Sequence, residues 1–179
     1  MKKQIFLGII LGIGLSLIFF NLLSPAYSTN SKVIKHTFNN QLTLHLPLST
    51  RATETKVIEQ GQLSYSVYID DPTLLIRGYI QLWKLNDLEK YLVDSQKIST
   101  FDFNSYTLKG IKVANFDGYL SEWTASFGQN YKISGMEYWL KQPGSDNVLR
   151  ISFFTDTNTF TKEQHDYIND IIRSVNWSI

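Results

Sequence analysis

The chain has 179 residues, of which 43% are hydrophobic and 14% aromatic, a composition that predicts one domain with a real core and argues against disorder. Its 17 basic and 16 acidic residues nearly balance, which argues against nucleic acid or an anionic lipid surface as the main partner. The sequence contains no cysteine, so disulfides, thiolate metal sites and a cysteine nucleophile are excluded.

The first predicted element is an uncharged apolar segment from Ile5 to Leu23, preceded by Lys2 and Lys3. As a helix it would span roughly 28 Å, about the thickness of a bilayer core. The two lysines are expected to stay in the cytoplasm, which makes the chain a single-pass protein of the cell membrane with everything after residue 24 outside. A cleaved signal peptide is the alternative, because Ala26-Tyr27-Ser28 offers small residues for a peptidase; cleavage after Ser28 would make the protein secreted.

We therefore divide the chain into an anchor or signal over residues 1–28, a polar linker over residues 29–35 and one domain over residues 36–179. Alternation over 41–46 predicts a strand with its leucines facing inward. The stretch from Leu74 to Leu85 is apolar or aromatic on both faces, so its sheet should be covered on both sides. Alternation and turn residues predict further strands over 64–69, 106–109, 111–114, 119–125, 131–141 and 147–155.

Two helices are predicted among these strands. Asn86 is expected to cap the first helix, and Thr161 with Gln164 forms a capping box at the start of the second. Short turns between consecutive strands favour antiparallel pairing, and two helices can cover two sheet faces. The predicted class is α+β: a three-layer α/β/α sandwich with a mostly antiparallel central sheet, preceded by an N-terminal transmembrane helix.

Three stretches carry a family resemblance: GIKVANFDGYLSEWTA, YKISGMEYWLKQPGSDNVLRISFFT and FTKEQHDYINDIIRSVNW. Their glycine-led strand, aromatic hairpin, apolar last strand and closing helix resemble the PsbP-like (Mog/PsbP) family, in particular a bacterial membrane-anchored member, over residues 36–179. The resemblance implies an α/β/α domain that acts as an accessory or binding module. Known members assist the oxygen-evolving photosystem or bind a nuclear GTPase. Because a membrane segment and linker replace the docking extension of plant members, neither photosystem function nor any site residue is carried over.

Catalytic and metal-binding motifs are not found in the sequence. His36, His45 and His165 do not share a metal-ligand spacing. No GxSxG, SxxK, GxGxxG or Walker-type pattern occurs. We therefore expect no enzyme activity, no cofactor and no metal ion.

Four charged residues lie in the middle of predicted strands, between apolar neighbours: Arg77, Glu122, Glu137 and Arg150. Charges in such positions must pair or reach water. They can form a structural ion-pair network across the strands, or they can line a polar groove on one sheet face that binds a ligand or a peptide. The face of the sheet on which each one lies distinguishes these interpretations.

The sequence thus predicts a membrane-tethered extracytoplasmic accessory or binding module of PsbP-like type. Its partner would be a membrane protein complex or an envelope component, with no nucleic acid bound. The alternative is a small extracytoplasmic ligand-binding protein or hydrolase that uses a polar groove on the sheet. A pocket that combines the mid-strand charges with a nucleophile and a base would favour the hydrolase.

Overall fold

The computed structural model describes residues 32–58, 61–128 and 131–178. The predicted anchor, residues 1–28, lies outside the described residues, and so do residues 29–31 of the linker. Within the described part of the chain, no helix is both long enough and apolar enough to cross a bilayer. In chain order the described elements are β1 (Val33–Phe38), β2 (Leu42–Pro47), β3 (Arg51–Glu54), β4 (Leu63–Asp71), β5 (Ile76–Lys84), α1 (Leu88–Ile98), β6 (Asp102–Val113), β7 (Phe116–Phe127), β8 (Tyr131–Lys141), β9 (Asn147–Thr155), α2 (Lys162–Arg173) and β10 (Asn176–Trp177).

Seven strands form a large antiparallel sheet in the order β3-β4-β5-β9-β8-β7-β6. Tight turns set much of this pairing, since a two-residue connection can only return the chain antiparallel. Ala114 adopts a φ of 51° in the turn between β6 and β7, and Gly144 adopts 71° between β8 and β9. The remaining strands form a small sheet in the order β1-β2-β10.

The main core lies between the large sheet, the small sheet and α2. Leu42, Leu44 and Leu46 alternate along β2, and all three are fully buried, as the sequence predicts. Helix α2, which begins with the predicted capping box, adds Ile168 and Ile171 from its apolar side to this core. We call the face of the large sheet that contributes to this core the inner face.

The opposite face, here called the outer face, is covered by α1. Leu88 and Leu92 pack there against Trp139 and Val148, and together with Leu85 they form a second, smaller apolar cluster. A helix of 11 residues spans only about 16 Å. It therefore covers part of the outer face and leaves polar and aromatic residues of the neighbouring strands beside it.

The predicted fold class, an α+β domain built as an α/β/α sandwich, is wrong. The fold is mostly β, with 56% of the described residues in strands and 16% in helices. The physical reason lies at the two ends of the domain. Strand β1 pairs with β2, and Trp177 of β10 pairs with Leu42 of β2, which makes a second sheet. This sheet covers the inner face together with α2. The long β6–β7 hairpin also continues through Gly110 and Gly118, where we expected the strands to be interrupted.

The start of α1 differs from the prediction by one residue. Asp87, rather than Asn86, is the N-cap, because its side chain accepts a hydrogen bond from the Lys90 backbone N–H.

Candidate functional site

The structure places three of the four mid-strand charges on the outer face and one on the inner face. Arg150 lies opposite Gln81 on one neighbouring strand, and Glu137 lies opposite Ser152. Arg77 shares this face. Glu122 lies opposite Met136, a residue of the main core, so its side chain belongs to the inner face. The three outer charges are thus separated from Glu122 by the thickness of the sheet.

Glu137 and Arg150 form an ion pair at the centre of the outer face. The Nε group of Arg150 donates to Oε2 of Glu137 at 2.8 Å, and Nη2 of Arg150 lies 2.8 Å from the same oxygen. The second carboxylate oxygen, Oε1, accepts from the Trp123 indole N–H at 2.8 Å, and Nη1 of Arg150 donates to Gln81 Oε1 at 2.7 Å. The two side chains are only 11% and 17% exposed. Both carboxylate oxygens are therefore occupied, and the two opposite charges cancel.

Arg77 forms a separate ion pair on the outer face, where β5 begins and β9 ends. Its Nη2 group donates to Asp156 at 2.6 Å, and the Tyr131 hydroxyl donates to the same carboxylate oxygen at 2.8 Å. The hydrogen bond from Arg77 holds the pKa of Asp156 below its usual range. Asp156 is about half exposed, so this pair contributes little to stability.

Glu122 pairs with Lys109 at 2.9 Å on the inner face. The two side chains line a polar hollow of about 310 Å³ together with His165 from α2. The imidazole of His165 lies beside the Phe160 ring, with 5.8 Å between ring centroids. No acid–base partner of His165 is seen among the described residues, and no group of three or more His, Asp or Glu side chains there could hold a metal ion.

A cleft of about 210 Å³ lies between α1 and the outer face, and the Glu137–Arg150 pair lies among the residues that line it. We call it the outer cleft. Trp83, Tyr91 and Trp139 pack against one another at one end, with ring centroids 5.8–5.9 Å apart. The other side is lined by the clustered aromatic rings of Phe101, Phe103, Tyr106 and Trp123.

Aromatic packing and burial also set the electrostatics of the outer cleft. The Arg150 guanidinium lies 5.1 Å from the centre of the Trp139 ring, within the range of a cation–π contact. Burial raises the pKa of Tyr91, and burial followed by the nearby Glu137 charge raises the pKa of Tyr106. Both phenols therefore remain neutral near pH 7 and can donate a hydrogen bond.

One buried donor in the outer cleft has no partner. The indole N–H of Trp139 lacks an acceptor among the described residues, although the side chain is only 5% exposed. An unmet buried donor costs about 1–3 kcal/mol. The Trp139 side chain lines the outer cleft, and its indole nitrogen is shielded from solvent, as is that of Trp177 in the main core.

Sequence reasoning found two of the polar residues in this site, Glu137 and Arg150, and missed Gln81 and the wall supplied by α1. Glu137 and Arg150 were found because they are charged residues between apolar neighbours in a strand. Gln81 has no charge and α1 is a helix, so neither gives this signal. Tyr91 has a weak signal, since it lies three and one residues from Leu88 and Leu92, on the apolar side of α1.

Comparison with known proteins identifies the fold. Neither protein-family models nor curated protein sequences gave a match. The solution structure of the cyanobacterial PsbP protein CyanoP from Synechocystis sp. PCC 6803 aligns with a TM-score of 0.55 and 9% identity, over 88% of this chain and 99% of that one. The crystal structure of LpqN of Mycobacterium tuberculosis, described as involved in cell envelope biogenesis, aligns with a TM-score of 0.50 and 11% identity, over 87% of this chain and 100% of that one. The PsbP-like resemblance is thus confirmed at the level of the fold.

Proposed function

We propose that this chain is an extracytoplasmic accessory protein that binds a membrane or envelope partner through the outer cleft and has no catalytic activity of its own. The observation that carries the proposal is the composition of the cleft: its walls are aromatic, and its two charges neutralise each other. Aromatic residues supply large, rigid contact areas and are enriched where proteins bind partners. The PsbP-like fold of CyanoP and LpqN is consistent with an accessory module.

The polar groups of the outer cleft favour binding over hydrolysis. A hydrolase needs a nucleophile beside a free base. Glu137 is the carboxylate in the cleft, and both its oxygens already accept hydrogen bonds from Arg150 and Trp123. Of the described residues that line this cleft, none is a histidine or a lysine. Glu137 cannot accept a proton without losing its ion pair with Arg150.

Tethering is the second part of the proposal, and it is supported by the sequence of residues 1–28. The segment from Ile5 to Leu23 is charge-free and follows two lysines, a combination typical of a membrane anchor. A tether holds the outer cleft near membrane partners and raises their effective concentration. A binding module of modest affinity can work in this way.

The test is co-purification from membranes. Cells make the tagged full chain, a version in which a cleavable export signal replaces residues 1–28, and a Phe101→Ala variant. Phe101 lines the outer cleft and is 40% exposed, so its replacement should leave the core intact. Ile58→Ala is the matched control, since Ile58 is 82% exposed and lies outside the cleft.

We expect the full chain and the Ile58→Ala variant to recover the same envelope partner, and the Phe101→Ala variant to recover much less of it. We expect the full chain to stay in the membrane fraction after alkaline extraction, with its domain open to protease from outside. If the Phe101→Ala and Ile58→Ala variants recovered equal amounts of the partner, the assignment of partner binding to the outer cleft would be contradicted. Release by alkali would contradict the tether.

A further inference from the structure

We infer that one end of the large sheet lies against a phospholipid bilayer and inserts its exposed apolar side chains there. The inference rests on the proposed tether and adds a second contact with the membrane, made by the domain itself. Three observations carry it: the clustering of exposed apolar side chains, the conformation of Leu75, and the point at which the linker joins the domain.

Exposed apolar side chains gather at the end of the large sheet where β5 and β8 begin and where β4, β9 and β7 end. All neighbouring strands are antiparallel, so these strand ends lie side by side. The exposed residues lie in the turns before β3 and β5, between α1 and β6, and at the tip of the β7–β8 hairpin. We call this the hydrophobic end, and it exposes Leu48, Leu75, Ile98, Phe101, Phe127 and Tyr131.

The opposite end of the same sheet is mainly polar. Its turns expose Asn86, Asn115 and Asp146. In the described loops of this end, Ile58 is the large apolar side chain that is exposed, and it lies between β3 and β4. The domain is therefore asymmetric along its strands, and an apolar surface of this kind marks an interaction site.

Leu75 is unfavourable for the isolated domain in two ways. Its φ of 52° lies in the left-handed region, which favours glycine or asparagine. Its side chain is 74% exposed, so it adds little to the core. The turn is held instead by Asp71, whose carboxylate accepts hydrogen bonds from the backbone N–H groups of Thr73 and Leu74. A leucine at this position is favourable where an apolar medium outside the domain receives its side chain.

The linker joins the domain at the hydrophobic end. The carbonyl oxygen of Lys32 accepts a hydrogen bond from the backbone N–H of Leu48 at 2.9 Å. Residues 24–31 connect Lys32 to the apolar segment that ends at Leu23, and a fully extended chain of this length spans at most roughly 28 Å. The proposed tether therefore keeps the hydrophobic end close to the bilayer.

A lipid surface fits this end better than a protein partner does. The apolar side chains project from separate turns across a seven-stranded sheet, a width of about 29 Å. A bilayer receives such separated protrusions, whereas a protein hot spot is a compact cluster. Phenylalanine and tyrosine rings such as Phe127 and Tyr131 suit the boundary between headgroups and acyl chains. Beside Tyr131 the charges of Arg77 and Asp156 are paired, so the contact does not depend on anionic lipid.

The same contact holds the outer cleft beside the bilayer, because Phe101 lines the cleft and also lies at the hydrophobic end. Phe101 is therefore left unaltered in the test, so that the membrane contact is measured separately from partner binding.

Spin-label accessibility tests the inference on the full chain. The chain has no cysteine, so a single nitroxide can be attached to a Leu75→Cys or Phe127→Cys variant. Ile58→Cys and Asn115→Cys are the matched controls, since both residues are exposed at the opposite end. Each full chain is reconstituted into phosphatidylcholine vesicles without any other protein. Electron paramagnetic resonance measures the access of each nitroxide to oxygen, which concentrates in the bilayer, and to a nickel chelate, which stays in water.

We expect the labels at Leu75 and Phe127 to be accessible to oxygen and shielded from nickel, and the two control labels to show the reverse. Adding Leu75→Asn to the Phe127→Cys chain should lower the ratio of shielded to water-exposed label about tenfold, because one leucine side chain no longer enters the apolar phase. Asparagine suits the left-handed backbone, so the urea midpoint should not fall. Ile58→Asn in the same chain should leave the ratio unchanged.

Three results would overturn the inference. The first is equal nickel access at all four positions, and the second is an unchanged ratio in the Leu75→Asn chain. The third is spin–spin broadening at Leu75 and Phe127 that vanishes on dilution with unlabelled chain, which would mean that a second copy covers the hydrophobic end. A chain that stays with the vesicles while both labels remain in water would reject this contact and leave the tether standing. A chain that the vesicles do not retain would reject both.

Discussion

The buried ion pair of the outer cleft gives the sharpest prediction about stability. Arg150→Met leaves the Glu137 charge with one hydrogen bond, from Trp123, on a side chain that is 11% exposed. Breaking a buried pair by removing one member costs about 3–5 kcal/mol, and the residual exposure of the pair places this case near 3 kcal/mol. Glu137→Met should cost a similar amount, because it leaves the guanidinium of Arg150 unpaired.

The double variant Glu137→Met/Arg150→Met should be more stable than either single variant. It removes both charges, leaves the Trp123 N–H without its acceptor, and takes from the Gln81 carbonyl oxygen one of its two donors, since Trp83 remains. At about 1 kcal/mol for each of these two lost hydrogen bonds, the total loss is about 2 kcal/mol. Independent sites would instead lose about 6 kcal/mol.

Urea unfolding followed by circular dichroism measures these differences. With a slope of about 2 kcal/mol per molar urea, each single variant should lower the midpoint by about 1.5 M. Lys109→Met is the matched control, since the exposed Lys109–Glu122 pair should contribute about 0–1 kcal/mol. Additive losses in the double variant, or single losses no larger than that of Lys109→Met, would refute the reasoning.

Two further predictions concern a glycine of the large sheet and the Arg77–Asp156 ion pair. Gly78→Ala should destabilise the domain by about 2 kcal/mol or more, because the added Cβ would lie 1.8 Å from the Ser152 carbonyl oxygen. At Gly110 an added Cβ meets open space, so Gly110→Ala should change stability by less than about 0.5 kcal/mol. Equal urea midpoints for the two variants would contradict this prediction. Arg77 lowers the pKa of Asp156, so the pair stabilises the fold above the unfolded pKa of about 3.9 and loses this contribution as pH falls through the lower folded value. The free energy of unfolding of the Asp156→Asn variant should therefore depend less on pH below about pH 4. Identical acid unfolding curves for the variant and the unaltered chain would contradict this prediction.

Local signals in the sequence predicted the elements that local physics determines. The alternating leucines of β2 and the Thr161–Gln164 capping box needed only neighbouring residues, and both are confirmed. The pairing of Trp177 with Leu42 joins the two ends of the domain, and no local pattern indicates it. The pairing of β1 with β2 makes the second sheet and Trp177 extends it, and the omission of β1 and β10 led to the wrong fold class.

The sequence identified charged residues of the candidate site but did not show which of them lie on the same face of the sheet. Charges between apolar residues identified Glu137 and Arg150, because buried charges require partners. The register of two hairpins decides which charges share a face: Glu122 lies opposite Met136, one residue before Glu137, and this single step sends it to the inner face. The position of α1 over the outer face depends on tertiary packing and could not be derived from spacing alone.

Site-specific photo-crosslinking in intact cells tests the proposed binding function most directly. A benzophenone amino acid is placed at Gln96, an exposed residue of α1 that lines the outer cleft, and separately at His45, an exposed residue of the small sheet. We predict that the Gln96 position gives a discrete adduct with a membrane or envelope protein, that the Tyr91→Ala substitution removes the adduct, and that the His45 position does not give it. The absence of an adduct at Gln96, or the same adduct from both positions, would contradict binding through the outer cleft.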